Sequence, residues 1–222
     1  MKVDIAPVAR PKLVRDATVE SIRDAIIHGR LAPGTRLIER ELCEATGASR
    51  ASVREAVRQL EADRLVVVTA HKGPAVATLT REQAAEIYAL RADLEVRLSV
   101  AFRRRAAPGD VEVLRAMLPE IEAAAAEADK AALVEIMNRF NGHIMAVSGL
   151  EVTSDLLRTL LARISWLRVL SMTQPGRMAD SVAEIAAIVD VIGSGRPREI
   201  ERAVRRYVSN AGAAALKQID AD

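Results

Sequence analysis

Two arginines and two serines in the first third of the chain have a spacing that suits recognition chemistry. Arg50 and Arg54 would share one face of a helix, and Ser49 and Ser52 lie at the start of that helix. The guanidinium fork of arginine pairs with O6 and N7 of guanine, and serine hydroxyls reach phosphates or base edges. The spacing therefore favours contact with a nucleic acid, although an isolated arginine pair is more often a solvated helix face.

Other cationic residues lie on either side of this segment. Arg40 begins the preceding helical pattern, where its side chain would reach the phosphate backbone or a base. His71, Lys72 and Gly73 separate two short apolar runs and predict a flexible tip that follows phosphates or enters a minor groove. Cys43 lies inside the same region, where a small buried side chain is its ordinary role.

Residues 13–79 predict the elements that would position these side chains. Apolar spacing predicts helices at about 18–28, 39–45 and 49–62, and short strands at 66–69 and 75–78. Ser49 is the expected N-cap of the third helix, and Gly73 and Pro74 fall in the expected loop between the strands. This order is that of a winged helix-turn-helix, which places its last helix in the major groove of DNA.

From Thr80 onward the pattern is helical. Thr80 and Gln83 have the spacing of a capping box. Six helices are predicted, at about 80–105, 109–127, 130–147, 151–171, 178–193 and 197–219. Apolar residues recur at helical spacing in each, and in the fourth helix the predicted stripe is Leu156, Leu160, Ile164 and Leu167. Residues 80–222 are therefore expected to form an antiparallel all-α bundle. Residues 1–12 show no periodicity and are expected to be a flexible tail.

Composition excludes several other classes of protein. Half of the 222 residues are apolar, which is enough for a core, and a single cysteine cannot form an internal disulfide. No signal peptide and no membrane span are predicted, so a cytoplasmic location is expected. With three histidines and no nucleophile, zinc or phosphate-loop motif, we expect no enzyme activity.

The first region resembles the GntR family of bacterial winged-helix regulators. The matching pieces lie in 15–78 and include Pro33-Gly34, Arg40-Glu41-Leu42, Ser49-Arg50 and Val53-Arg54-Glu55-Ala56-Val57. The resemblance implies DNA contacts by Arg40, Ser49, Arg50, Ser52, Arg54, His71, Lys72 and Gly73. Arg64 occupies a position where the family often has glycine, so a left-handed backbone conformation is expected there.

The second region resembles the helical effector-binding FCD domain of the FadR subfamily. The resemblance covers about 82–217 and depends on helix number, helix length and the pattern Leu90-Arg91-Ala-Asp-Leu94-Glu95. It implies a homodimer that binds a palindromic double-stranded DNA operator, with an affinity that a small molecule held in the bundle alters. The function expected is a ligand-responsive transcription regulator, a repressor. The alternative is a DNA-binding protein without effector, whose bundle serves only dimerisation.

Many FCD domains bind a metal ion through one aspartate and three histidines. In this sequence the corresponding positions are occupied by Met137, Asn141, Ile185 and Tyr207. None of the four keeps the family's ligand, and methionine and isoleucine do not bind a hard or borderline divalent cation. His143 is nearby but alone, and a structural role is expected for it. We therefore expect no metal and no other cofactor.

Arg91 falls within the apolar stripe of the first bundle helix, where an unpaired charge is unfavourable. One explanation is an internal ion pair with Glu95 or with an acid of another helix. The other is that Arg91 binds a carboxylate or phosphate of the effector. In that case Asn141, Trp166, Tyr207 and Asn210 are the other candidate effector-binding residues, although the alternative for Trp166 is a role in the core.

Overall fold

The computed structural model describes residues 12–172 and 174–219, with side chains described from Arg15 onward except at Leu170. The chain divides between Thr78 and Leu79 into two units. The predicted flexible tail lies outside the described residues, apart from Lys12, which begins the first helix. The predicted fold class is confirmed: a small winged unit is followed by a helical bundle.

The described residues of the N-terminal unit form three helices and one hairpin. They are α1 (Lys12–Ile27), α2 (Glu39–Thr46), α3 (Arg50–Ala62), β1 (Val66–Thr69) and β2 (Gly73–Val76). α1 and α2 both pack against α3, and their apolar faces meet in a core that contains Ile22, Leu42, Val53 and Leu60. α1 begins at Lys12, earlier than the predicted start near residue 18, and Thr18 lies buried within the helix.

Local signals fix the ends of the helices in this unit. Gly47 adopts φ 67° and its N–H donates to the carbonyl of Cys43, which ends α2 in the way that glycine permits. The Ser49 hydroxyl accepts from the N–H of Ser52 at 3.2 Å and caps α3 as predicted. Arg64 has φ 61°, so the predicted left-handed conformation before the hairpin is confirmed.

The hairpin differs from the prediction at its second strand. β1 pairs antiparallel with β2, and Pro74 lies inside β2 opposite Val68 rather than in the loop. Gly73 likewise begins β2 and pairs with Thr69, so the connecting loop is residues 70–72. Proline has no N–H to donate at this position, but its carbonyl still accepts a hydrogen bond from the N–H of Leu37 at 2.9 Å.

The C-terminal unit consists of helices. They are α4 (Arg81–Arg105), α5 (Pro108–Ala126), α6 (Lys130–Ser148), α7 (Glu151–Arg163), α8 (Ser165–Ser171), α9 (Arg177–Ser194) and α10 (Pro197–Ile219). The capping box of Thr80 and Gln83 is present at the start of α4. α4 packs against α6, α7 and α10, while α5 packs against α6 and α9, so α4 lies at the centre of the bundle.

The predicted helix 151–171 is divided into α7 and α8 at Ile164, whose ψ of 11° leaves the helical range. The predicted stripe is also wrong in part, since the side chain of Leu156 is exposed and the buried face of α7 contains Leu157 and Leu161. The sequence has two leucine pairs four residues apart, Leu156-Leu157 and Leu160-Leu161. Either member of each pair could face the core, so periodicity alone does not distinguish between two rotations of the helix.

Candidate functional site

The amino-terminal end of α3 presents hydrogen-bonding groups to solvent. The hydroxyls of Ser49 and Ser52 lie 3.0 Å apart, and Arg50 follows directly in the first turn of the helix. Arg50 is exposed, and within the described part of the chain its side chain has no hydrogen bond and no ion pair. Its five N–H donors are therefore available to a partner outside the unit.

Arg54, one turn further along α3, is paired with a carboxylate from α2. Its Nη1 lies 3.0 Å from Oε1 of Glu39, and both side chains are partly exposed. Arg40 is paired more loosely, with its Nη1 3.4 Å from Oε1 of Glu44. Glu39 was not identified from the sequence, because an acid at a helix start is more commonly explained by the helix dipole.

The wing is the hairpin of β1 and β2, and its tip is the loop of residues 70–72. An arginine that was not predicted from the sequence holds the backbone of this tip. The Arg36 guanidinium donates to the carbonyl of Lys72 from Nε at 3.1 Å and from Nη2 at 2.5 Å. The backbone of Arg36 forms an isolated antiparallel bridge with Ala75. His71 adopts φ 64°, and the side chains of His71 and Lys72 are exposed. The tip is thus held at its backbone while its cationic side chains remain accessible.

The second candidate site is an interior chamber of the bundle, lined by residues of α4, α6, α7, α9 and α10. The four positions that correspond to the family's metal ligands, Met137, Asn141, Ile185 and Tyr207, all line it. The chamber has a volume of about 20 Å³, roughly that of one water molecule. Most of its wall is apolar, and the buried Nδ2 of Asn141 has no hydrogen-bond partner among the residues that the structure describes.

The donors around this chamber do not fit a divalent metal ion. Two of the four aligned side chains are hydrocarbon or thioether, and the remaining amide and phenol are weak ligands. The one carboxylate on its wall, Glu95, already accepts a hydrogen bond from Arg91. Across the described residues, no group of three or more His, Cys, Asp or Glu side chains is arranged to hold a metal ion.

Arg91 is the most deeply buried charged residue in the described part of the bundle, with 1% of its surface exposed. Its Nε lies 2.6 Å from Oε1 of Glu95, so the predicted internal ion pair is present. The guanidinium also faces the rings of Tyr88 and Tyr207, at 5.7 and 5.6 Å from their centroids. Burial is the largest single influence and lowers the pKa of Arg91, but Glu95, Tyr207 and Tyr88 together outweigh burial and raise that pKa above its ordinary value.

The structure separates the other predicted effector-binding residues. Asn210 does not line the interior chamber; its Nδ2 donates to Glu184 at 2.5 Å, in a surface cleft of about 450 Å³ between α9 and α10. Trp166 packs against the hydrophobic core and is absent from the chamber wall, although its buried Nε1 has no hydrogen-bond partner within the described part of the chain. Only Asn141 and Tyr207 of the predicted set therefore contact the chamber directly, and Asn210 belongs to a different region because it lies on the outward side of α10.

His143 has structural contacts. Its Nε2 lies 3.0 Å from the carbonyl oxygen of Asp110, and its ring meets Phe102 edge to face at a centroid distance of 5.6 Å. These contacts join α6 to α5 and α4, which is consistent with the role expected for it.

Comparison with known families agrees with the folds of the N-terminal winged unit and the C-terminal helical bundle. Residues 15–76 match the family described as "Bacterial regulatory proteins, gntR family", and residues 86–210 match the FCD domain. The chain belongs to the GntR family. It is a member with an FCD domain, and the proteins of this group are DNA-binding transcription regulators rather than enzymes. No helix within the described residues is long and apolar enough to cross a membrane.

Relatives with assigned names agree with this family. The chain is 26% identical over 172 residues to the HTH-type transcriptional regulator YdhC of Bacillus subtilis, with 77% of each chain covered. It is 27% identical over 205 residues to a protein of Paenarthrobacter nicotinovorans named "Probable D-xylose utilization operon transcriptional repressor", covering 89% of this chain and 88% of that one.

Solved structures show the same fold. Escherichia coli McbR/YncC superposes with a TM-score of 0.83 at 18% identity, covering 92% of this chain and 98% of that one. A GntR regulator from Rhodococcus sp. RHA1 gives a TM-score of 0.76 at 23% identity, covering 91% and 97%.

Proposed function

We propose that this GntR-family protein is a dimeric transcriptional repressor that binds a palindromic operator and releases it when a small molecule binds the bundle. The observation that carries the DNA-binding part is the exposed, unpaired Arg50 in the first turn of α3, beside the hydroxyls of Ser49 and Ser52. An operator bound in this way needs no metal and no other cofactor in the protein, and the protein acts in the cytoplasm, where its DNA is.

In the proposed complex the amino-terminal end of α3 enters the major groove. Arg50 and Arg54 read base edges, while Ser49, Ser52 and Arg40 contact phosphates or neighbouring bases. The wing residues His71, Lys72 and Gly73 follow the backbone or enter the adjacent minor groove. The bond from Arg36 to the Lys72 carbonyl supports this role because it limits the ordering cost of the wing on binding.

The operator-binding proposal is tested by selecting duplexes from a random pool with the purified protein. We expect an enriched sequence with two-fold symmetry, because a two-fold symmetric dimer binds two equivalent half-sites. An enriched site without symmetry would contradict the dimer, and no enrichment at low salt would contradict DNA binding itself.

Glu39 is expected to affect specificity more than stability. Because it holds Arg54 in a partly exposed pair, Glu39→Gln should change the free energy of unfolding by less than about 1 kcal/mol. Removing its charge should strengthen binding to all duplexes, while freeing Arg54 weakens base discrimination. The ratio of affinities for the selected operator and a scrambled duplex should therefore fall.

The matched control for Glu39 is Glu55→Gln, which removes the same charge from the Arg58 pair on α3. That variant should bind all duplexes more tightly without changing the affinity ratio. Equal ratios for both variants would show that Glu39 does not position Arg54.

The dimer proposal is supported by apolar side chains exposed on the bundle. Val152 and Leu156 of α7 and Leu90 of α4 are 75%, 55% and 46% exposed, and α4 and α7 are packed together.

We expect Leu156→Glu to shift sedimentation from dimer to monomer and to weaken operator binding, because a charge placed at an apolar interface is strongly unfavourable. The control is Val113→Glu on α5, which introduces the same charge at another exposed apolar position. Loss of the dimer in both variants would contradict an interface at α7.

The effector proposal requires the bundle to open. A chamber of about 20 Å³ holds no metabolite in this conformation, so the ligand would have to separate the helices that line it. The same small volume favours the alternative, in which the bundle serves only dimerisation. A thermal-shift screen of metabolites, with and without a chelator, distinguishes the two. A ligand-dependent rise that the chelator does not alter would support a metal-free sensor, and a chelator effect would contradict it.

A further inference from the structure

The surface cleft between α9 and α10 has the size of a ligand site. Its volume of about 450 Å³ falls within the range of about 300–1,000 Å³ that is usual for small-molecule sites. The described residues that line it are all different from those that line the interior chamber. A small molecule therefore reaches this cleft from solvent without any separation of the helices.

The least exposed part of the cleft wall is an ion pair within α9. Arg177 is 7% exposed, and its Nη1 donates to Oε2 of Glu184 at 2.9 Å. The other carboxylate oxygen of Glu184 accepts from Nδ2 of Asn210 on α10 at 2.5 Å. Both residues of the pair are thus held in place, and the carboxylate has no further need of a donor.

Arg177 keeps most of its hydrogen-bonding capacity. A guanidinium has five N–H donors, and within the described residues the bond to Glu184 is the one hydrogen bond that the Arg177 side chain makes. Because Arg177 also lines the cleft, its remaining donors are available to acceptor atoms of a molecule bound there. A donor that is nearly buried gains most from such an acceptor.

Three exposed charges at the cleft have no ion pair within the described part of the chain. Asp180 lies in the first turn of α9, and Arg206 and Lys217 lie on α10. Exposed arginines of α10 do pair where acids are close, since Arg205 contacts two carboxylates at 2.8 and 3.0 Å. The cleft therefore has a free carboxylate on one wall and two free cations on the other.

We propose that this cleft binds a small zwitterion with an ammonium and a carboxylate group, such as an α-amino acid. The ligand carboxylate binds Arg206, Lys217 and the unused donors of Arg177, and the ligand ammonium binds Asp180. A simple anion would leave Asp180 without a partner, and a simple cation would leave the cations of α10 without one.

The charges at the cleft also rank its ligands. Arg177, Arg206 and Lys217 are opposed by Asp180 and Glu184, which leaves one positive charge in excess. An amino acid with a second carboxylate should therefore bind more tightly than a neutral one. This inference goes beyond the proposed function, because occupation of the cleft requires neither operator binding nor opening of the bundle.

The first experiment titrates the full-length protein calorimetrically with L-glutamate, L-alanine, sodium acetate and methylammonium chloride at matched ionic strength. We expect saturable binding of both amino acids, with L-glutamate the tighter. Acetate and methylammonium should bind at least about tenfold more weakly than L-alanine, because each lacks one of the two charged contacts. Acetate that binds as tightly as L-alanine, or no saturable binding of either amino acid, would overturn the proposal.

The second experiment assigns the two ends of the ligand with exposed residues, whose replacement does not disturb the core. Asp180→Asn should lower the affinity for L-alanine to that for acetate and leave acetate binding unchanged. Arg206→Gln should weaken L-alanine and acetate alike, by about tenfold. An Asp180→Asn variant that binds L-alanine as tightly as the wild type would contradict the contact with the ammonium group.

The matched controls are Asp190→Asn on α9 and Arg202→Gln on α10, which are exposed residues outside the cleft wall. Both should bind L-alanine as the wild type does, and an equal loss in a control would show a general effect of charge and overturn the site. Operator binding by the same preparations separates this inference from the proposed function. A wild type that binds its operator but no amino acid contradicts the cleft site alone, whereas the reverse contradicts the proposed function alone.

Discussion

Replacing Glu95 by glutamine is expected to lower the free energy of unfolding by about 3 kcal/mol, the lower end of the cost of removing one partner of a buried ion pair. The substitution leaves Arg91 charged with 1% of its surface exposed. The amide oxygen of glutamine can still accept the bond from Nε of Arg91, so the expected loss reflects mainly charge. Chemical denaturation monitored by circular dichroism measures it.

Two further variants separate charge from packing. Glu112→Gln breaks an ion pair of the same length, 2.6 Å, on the surface of α5, and should change stability by no more than about 1 kcal/mol. The double variant Arg91→Met with Glu95→Leu should recover most of the loss, because apolar side chains of similar volume often replace a buried pair without cost. A double variant as unstable as Glu95→Gln would show that packing, not charge, determines the effect.

Features governed by short-range rules were predictable from sequence. The Ser49 cap, the capping box at Thr80 and the left-handed Arg64 each depend on a few neighbouring residues, and all three occur as predicted. The resemblance to the FCD domain also placed Met137, Asn141, Ile185 and Tyr207 around one space, and these four residues do line the chamber.

Features that depend on packing between distant helices were not predictable. The break at Ile164 has no glycine or proline to mark it, and the rotation of α7 depends on which leucines its neighbours accept. Asn210 is a predicted effector-binding residue, but the rotation of α10 places it against Glu184 and off the chamber wall. Arg168 resembles any other arginine in sequence, and its burial, with 7% of its surface exposed, is visible only in the structure.

The volume of the chamber also had no signal in the sequence. Composition at the four aligned positions indicates an apolar wall, but the remaining space depends on how closely α4, α6 and α10 approach. Gly212 illustrates this, since a Cβ there would lie 3.0 Å from Cγ of Tyr88. α10 therefore packs against α4 with little spare room at this point, as is usual for a close-packed interior.

Arg50→Ala is expected to weaken binding to the selected operator by about 5- to 150-fold, equivalent to about 1–3 kcal/mol for one bidentate contact to a base. It should also relax the preference at the base pair that Arg50 contacts. Stability should be unchanged, because the exposed side chain has no hydrogen bond or ion pair within the described residues. Fluorescence anisotropy with the selected duplex and its single-base variants measures both effects.

Two other variants show whether this loss is specific to the end of α3. Arg58→Ala removes the same charge two turns further along the helix, where the side chain pairs with Glu55 at 2.8 Å, and it should weaken all duplexes slightly and equally. Lys72→Ala should make the slope of log binding constant against log salt concentration less steep by about 0.9 for each phosphate that Lys72 neutralises. The same variant should leave base preference unchanged. If Arg50→Ala and Arg58→Ala behave alike, the arginines act only through their charge and α3 does not enter the groove end-first. A selective loss of base preference in Arg50→Ala instead requires its guanidinium to meet a base edge, because phosphate contacts carry no direct sequence information.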